Sequence, residues 1–361
     1  MTQNYKFVEL PSDSPKREPL CDAHRVHQAS LHNRYSYGLV SGKLELKLTV
    51  QTPMSVGSGL MLLGRDLAAE FKDPKISKKI ERKGLIQTAV RTEKRLVIPG
   101  SSLKGAVRSI YESITHSCLC KLDRNNKSHI EEDFLECRVK ISPDPKKSKL
   151  RVCPACRIFG AMGYLGLIQF SDALCDRTGF GLSTMPTLNS PQAGARDPAT
   201  GAIYFEERVE VKDRKGKKIS GKRLKGRKFY PHNKHLQQQG STPIQVARQG
   251  YTFSTKIRFT NLSELEIGAL LIALGQDNKY PLLLKMGGGK AIGKGTVTVE
   301  VKNIEQTQDI RSRYNQFNLS NSILQTNENL ADLINRWTQG ARQEDKLVQT
   351  QQLKKLSEIL K

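Results

Sequence analysis

Alternating apolar and polar residues mark several strands of this chain, and a three-to-four-residue apolar repeat marks its helices. In "GKLELKLTVQTP" (42–53) the leucines and valine recur at every second position, the period of a strand with one buried face. "RLVI" (95–98), "LGLIQFSDA" (165–173), "GYTFSTKIRF" (250–259) and "TVTVEV" (296–301) read the same way. "SSLKGAVRSIYESITH" (101–116) changes period: Leu103, Val107, Ile110 and Ile114 share one helical face, Pro99–Gly100 ends the preceding strand, and Ser101 or Ser102 is the expected cap. "NLSELEIGALLIAL" (261–274) is a second helix, capped by Asn261 or Ser263, and "QEDKLVQTQQLKKLSEIL" (343–360) a terminal amphipathic one.

Stripped of insertions, the order is strand–helix–strand–strand–helix–strand. That is an α+β, ferredoxin-like (split βαβ) arrangement, shared with RNA-recognition modules that offer a sheet and its loops to single-stranded RNA. The loop before the last strand, "KMGGGKAIGKG", mimics a nucleotide-binding loop, since Gly288, Gly293 and Lys294 fit G-x-x-x-x-G-K. A phosphate loop needs a hydroxyl next and then a helix. Gly295 holds that position and a strand follows, so ATP is excluded. Glycines there are instead expected to let backbone N–H groups approach a sugar–phosphate chain, with Lys285, Lys290 and Lys294 adding charge.

Composition sharpens this reading. The 361 residues include 59 Lys+Arg against 35 Asp+Glu, a net charge of +24, spread over 74–95, 104–151, 208–235 and 279–302. Distributed positive charge of this size favours a polyanion, because each neutralised phosphate releases counterions. No apolar run approaches the ~20 residues that span a bilayer, and the N-terminus lacks a signal peptide's apolar stretch. A cytoplasmic protein with no membrane partner is expected.

Five of the seven cysteines, Cys118, Cys120, Cys137, Cys153 and Cys156, fall within one stretch, and "CPAC" (153–156) is half of a zinc knuckle. A structural site takes four ligands, so five cysteines compete for four places, with His116 and His129 in reserve. Cys21, His24, His27 and His32 are spaced too tightly, in too polar a segment, for a second site. In "LKGRKFYPHNKH" (224–235), Phe229 and Tyr230 can stack on bases while Arg227 and Lys228 hold phosphates, or the two rings can simply anchor a hairpin. Catalysis has little support: there is no G-x-S-x-G, no H-E-x-x-H and no carboxylate cluster suited to two metals.

Taken together, "VIPGSSLKGAVRSIYE" (97–112), "CPACRIFGAMG" (153–163), "GRKFYPH" (226–232) and "LLKMGGGKAIGKGTVTVEV" (283–301) resemble the RAMP superfamily of CRISPR–Cas proteins. The nearest likeness is to backbone subunits of type III effector complexes, the III-D group in particular, over roughly residues 24–303. The resemblance implies an RRM-like palm, a zinc-bound insertion and a β-hairpin thumb. It implies that Ser101, Ser102, Lys104 and Arg108 line the guide backbone, and that Gly287, Gly288, Gly289, Lys290 and Lys294 clasp it from the other side. Zinc falls among the five cysteines. The chain then divides into an N-terminal segment (1–36), an RRM-like domain (37–303) with zinc-binding (117–157) and thumb-containing (176–248) insertions, and a helical extension (304–361).

Cleaving members of the family carry an aspartate where Gln87 stands here, and an amide is a poor metal ligand beside a carboxylate. The resemblance therefore implies a non-cleaving scaffold for CRISPR RNA and complementary target RNA among other Cas subunits. The alternatives are a target-slicing endoribonuclease using Mg2+, with Asp66, Asp73 or Glu93 as displaced substitutes, and a guide-processing ribonuclease using His24, His27 or His32.

Overall fold

A computed structural model describes residues 5–11, 13–20, 32, 35–36, 38–119, 132–140, 151–186, 205–212, 218–224, 226–232, 240–307, 322–324 and 327–361. Its elements follow the hydrophobic pattern closely. The principal ones are β1 (Val40–Val50), β2 (Arg95–Ile98), α1 (Gly100–Ile114), α2 (Pro154–Phe159), β3 (Ala173–Thr178) and β4 (Arg227–Phe229). They continue with β5 (Thr252–Leu262), α3 (Glu264–Ala273), β6 (Thr296–Thr307), α4 (Asn327–Arg342) and α5 (Thr350–Leu360).

One antiparallel sheet runs β6–β1–β5–β3–β2 across its width. Leu44, Leu46, Leu48 and Val50 of β1 alternate into the core, where Leu103, Val107 and Ile110 of α1 and Ile267, Leu270 and Leu271 of α3 meet them. The molecule is thus mixed α/β, with both helices anchored on an antiparallel sheet. A smaller sheet orders Gly181–Met185, Thr242–Val246, Leu85–Ala89 and Gly57–Leu63. Between these segments a separate hairpin pairs Phe205–Lys212 with Lys218–Leu224. Among the described residues no helix is long and apolar enough to cross a membrane.

Four local expectations are refined. α3 is capped by Ser263, whose side chain exchanges hydrogen bonds with Glu266 in a capping box. α1 starts one turn earlier than its serines allow, because Pro99 is its N-cap; Asp172 accepts the Gly100 N–H at 2.7 Å instead. "LGLIQFSDA" supplies two short strands, Ile168–Phe170 and β3, both paired with β5. The N-terminal segment (1–36), set apart from the domain in the sequence, adds two short strands to it: Lys6–Val8 pairs with β4 and Glu18–Pro19 with Arg151–Val152.

The C-terminal region is built into the core. α4, absent from the sequence reading, buries Leu330, Leu333, Trp337 and Ala341. It lies so close to α3 that a Cβ on Gly268 would sit 2.0 Å from the Trp337 carbonyl oxygen. α5 then buries Leu353, Leu356 and Leu360, and the Leu283 N–H donates to the Leu360 carbonyl at 2.8 Å.

Candidate nucleic-acid interface and metal centre

Three segments far apart in sequence meet around one cleft of about 500 Å³. Its first wall is the start of α1: Ser101, Ser102, Gly105, Ala106 and Ser109. At helical spacing these small residues form one face, with Ile110 the single larger side chain that α1 lends the lining, and a Cβ at Gly105 would meet nothing within 4 Å. Lys228, Phe229 and Tyr230 of the β4 region form the second wall, and Lys285, Met286, Gly287 and Lys290 the third. Leu360, at the end of α5, completes the lining.

The lining holds lysines and no carboxylate. Burial pulls Lys228 down to about 8. Burial and then the neighbouring Lys290 pull Lys285 down to about 8 as well, and burial lowers Lys290 and Lys294. A depressed lysine is one whose charge the surroundings do not repay. Lys285 is held in place by a relay: its Nζ donates to the Thr296 hydroxyl at 3.1 Å, which lies 2.9 Å from His232 Nδ1. His232 Nε2 lies 3.2 Å from the Leu283 carbonyl, so its N–H donates there and Nδ1 accepts. Burial, then Lys285, pushes His232 down to about 4, so the imidazole stays neutral.

The sequence-predicted residues divide between this cleft and its support. Ser101, Ser102, Lys228, Phe229, Tyr230, Gly287 and Lys290 line the cleft. Phe229 is also a core residue at 7% exposure, forming the floor and not a free stacking ring, while Lys228 Nζ lies 4.9 Å over the half-buried Tyr230 ring. Lys294 reaches sideways to the Ser183 hydroxyl at 2.6 Å. Lys104 and Arg108 occupy the adjoining face of α1. Lys104 Nζ approaches the Ile168 carbonyl at 3.4 Å; burial and then Arg108 lower its pKa. Lys285, expected to add charge beside the glycine loop, lines the cleft as well, whereas Gly105, Ala106, Ser109, Ile110, Met286 and Leu360 were not singled out as cleft residues by sequence, although the small-residue spacing of α1 was a legible signal.

The glycines have a more local explanation than expected. Gly287 and Gly289 both sit at φ 75°, and Gly293 and Gly295 at 86° and 82°, in the left-handed region that L side chains avoid. The Gly288 N–H donates to Ser55 and the Gly295 N–H to Pro53. These two amides secure the loop to the end of β1 and do not point at a ligand.

Beside the cleft, the sulfurs of Cys118, Cys137, Cys153 and Cys156 lie within 4.8 Å of one another, all four buried. Cys118 and Cys156 are 3.6 Å apart, as are Cys153 and Cys118. A tetrahedron with metal–sulfur bonds of ~2.3 Å has edges of ~3.8 Å, so the donor set fits a metal ion of zinc's type as it stands. Within the cluster the hydrogen bond with Cys137 holds Cys118 up, whereas a hydrogen bond with Cys118 draws Cys137 and Cys153 down, Cys153 to about 7. Thiolates are what a metal binds. Arg17 hydrogen-bonds Cys137, and Arg108 donates to the Cys156 sulfur at 3.3 Å. The two guanidinium groups match the double negative charge of a divalent ion with four thiolates. Cys120 and His129, like His24 and His27, lie outside the described residues, and His116 turns to Gln349.

Arg108 and Arg227, read from sequence as phosphate ligands, both bind Glu112. Arg108 Nε reaches Glu112 Oε1 and Arg227 NH1 reaches Oε2, each at 2.7 Å. Gly160 and Cys118 carbonyls take further guanidinium N–H groups at 2.9 Å.

None of the candidate catalytic carboxylates lines the cleft. Asp66 is exposed beside Arg65, Asp73 caps Pro74–Glu81 by accepting from the Lys75 N–H, and Glu93 sits in a tight turn at φ 44°. Gln87 is half-buried in Leu85–Ala89, opposite Met61 and Ile244. His32 bonds the Leu165 carbonyl.

Compared with known families, the chain matches the RAMP superfamily over residues 47–298, more than half its length. No curated protein matches it.

Proposed function

The chain belongs to the RAMP superfamily, and from that premise and its lysine-lined cleft we propose that it is a guide-RNA-binding backbone subunit of a type III CRISPR effector. Membership brings a CRISPR-associated role in binding or processing RNA, and RAMP proteins generally work with CRISPR RNA and Cas partners. The observation that carries the finer reading is the cleft's chemistry. Lysines converge there from β4 and the glycine loop onto the small-residue face of α1, and the lining itself holds no carboxylate.

Phosphates would sit against Lys228, Lys285 and Lys290, with the Ser101 and Ser102 hydroxyls as further donors. The lining contains no Asn, Gln or Arg, the side chains whose planar groups pair bidentately with a particular base edge. Such a cleft holds a ribose–phosphate chain of any sequence, which is what a guide scaffold needs. In this reading β1–α1–β3–β5–α3–β6 is a split βαβ palm spanning 37–303, supported by its strand order. The hairpin Phe205–Lys212/Lys218–Leu224 is the thumb within the 176–248 insertion. The described parts of 1–36 and 304–361 brace the palm, and the 117–157 insertion is held by zinc on four cysteines. Gln87 in place of an acid leaves target cleavage to neighbouring subunits.

The test is the salt dependence of binding a single-stranded oligoribonucleotide. A single-stranded site loses ~0.7 units of log–log slope per lost phosphate contact, so K228A with K290A should shallow the slope by about twice that and weaken binding uniformly across sequences. An unchanged slope rejects the cleft as the interface. Cuts at regular intervals in a target RNA, lost on Asp66→Asn or Asp73→Asn, would instead establish the slicing alternative.

A further inference from the structure

We propose that Glu112 is a positioning residue that couples the four-cysteine centre to the RNA cleft, so that metal and RNA each strengthen the hold on the other. The inference rests on the functional reading above and adds a regulation to it. Glu112 is 6% exposed and lies on α1, three residues past the cleft-lining Ser109. Its two carboxylate oxygens hold two arginines, each 2.7 Å away and each reaching the cysteine centre by a different route.

One route runs through α1. Arg108 binds Glu112 with Nε, the Gly160 carbonyl with NH1 and the Cys156 sulfur with NH2, joining a metal-type ligand to the helix whose adjoining face lines the cleft. The other runs through β4. Arg227 binds Glu112 with NH1 and the Cys118 carbonyl with NH2, and the next residue along the chain is Lys228 of the cleft wall. The two walls of the cleft therefore share one buried carboxylate, and each is tied to a cysteine of the cluster.

The physical consequence follows from burial. A buried carboxylate that loses a partner leaves a costly unpaired charge, so the pair of arginines around Glu112 is held in one geometry. Closing the four sulfurs around a metal fixes the Cys118 carbonyl and the Cys156 sulfur, which fixes both guanidinium groups, which fixes the spacing between α1 and β4. RNA gripped between those walls favours the same arrangement, and linkage makes the effect reciprocal.

The experiment uses the full chain and measures its zinc affinity at equilibrium, by competition with a colorimetric chelator, with and without saturating oligouridylate. In the wild type RNA should protect zinc by raising that affinity about tenfold, a coupling of ordinary size, and in Glu112→Gln by less than twofold. Arg227→Met cuts one route and leaves the Arg108–Glu112 pair, so it should also lose most of the protection; circular dichroism checks that both variants fold. Equal protection in wild type and variants would mean that RNA merely shields the sulfurs, and no protection in an RNA-saturated wild type would mean no coupling. Either result overturns the proposal. A wild type that binds no RNA would remove the functional reading itself, a different outcome seen directly in the binding control.

Discussion

Arg108 and Arg227 stand against Lys228, Lys285 and Lys290 as two ways of placing positive charge within one region. The arginines share a buried carboxylate and donate to carbonyl groups, so their N–H groups are engaged inside the protein. The lysines meet no carboxylate in the cleft lining, and burial depresses each of them. The arginines' partners lie inside the walls; the lysines line the opening, where a polyanion can approach them. Basic residues alone do not mark an RNA site. Their partners decide.

The comparison can be broken most forcefully at the metal centre that holds the arginines. Cys156→Ser should abolish stoichiometric zinc binding, forfeiting part of the ~10–16 kcal/mol of apparent free energy that structural zinc supplies. Elemental analysis and thermal melts would show both losses. The next contrast is between the two sets themselves. Arg227→Met leaves Glu112 short of a partner and should cost ~3 kcal/mol in denaturant melts, since removing one member of a buried pair strands the other. Lys290→Met removes a desolvated cation and should leave stability equal or higher while weakening RNA binding. Equal destabilisation by both would erase the distinction.

The pH response is the smallest effect and carries opposite signs for binding and for folding. Lys228 and Lys285 lose their protons near 8, so RNA affinity should be full below that value and fall as pH rises through it. Their ordinary value is 10.5, so between about 8 and 10.5 the unfolded chain holds protons that the folded one has released. Their contribution to stability therefore rises with pH across that window. Parallel titrations of RNA binding and of melting should diverge.

Much of this arrangement was legible in the sequence, and what was not has identifiable causes. The strand alternation of 42–53 and the apolar face of 101–116 placed β1 and α1 because their signals are local. The cap of α1 was misread because Asp172, which accepts the Gly100 N–H, lies seventy-two positions away. α4 carried a sound pattern in Leu330, Leu333, Trp337 and Ala341, hidden by its Gln- and Asn-rich surroundings. The cysteine spacing pointed to a centre, whereas convergence of Cys118, Cys137, Cys153 and Cys156 needed coordinates. Nothing in the string of letters separates Arg227 from Lys228, because the Glu112 that claims the arginine is 115 positions distant.

The central claim is that the cleft between α1, β4 and the glycine loop holds the RNA backbone. Acetylation footprinting read by mass spectrometry, with and without saturating oligouridylate, tests it most directly. Lys228 and Lys290 should become protected, while Lys75, Lys78 and Lys79 on the helix Pro74–Glu81 keep their reactivity. Unchanged labelling of Lys228 and Lys290 on RNA-saturated protein would contradict the account.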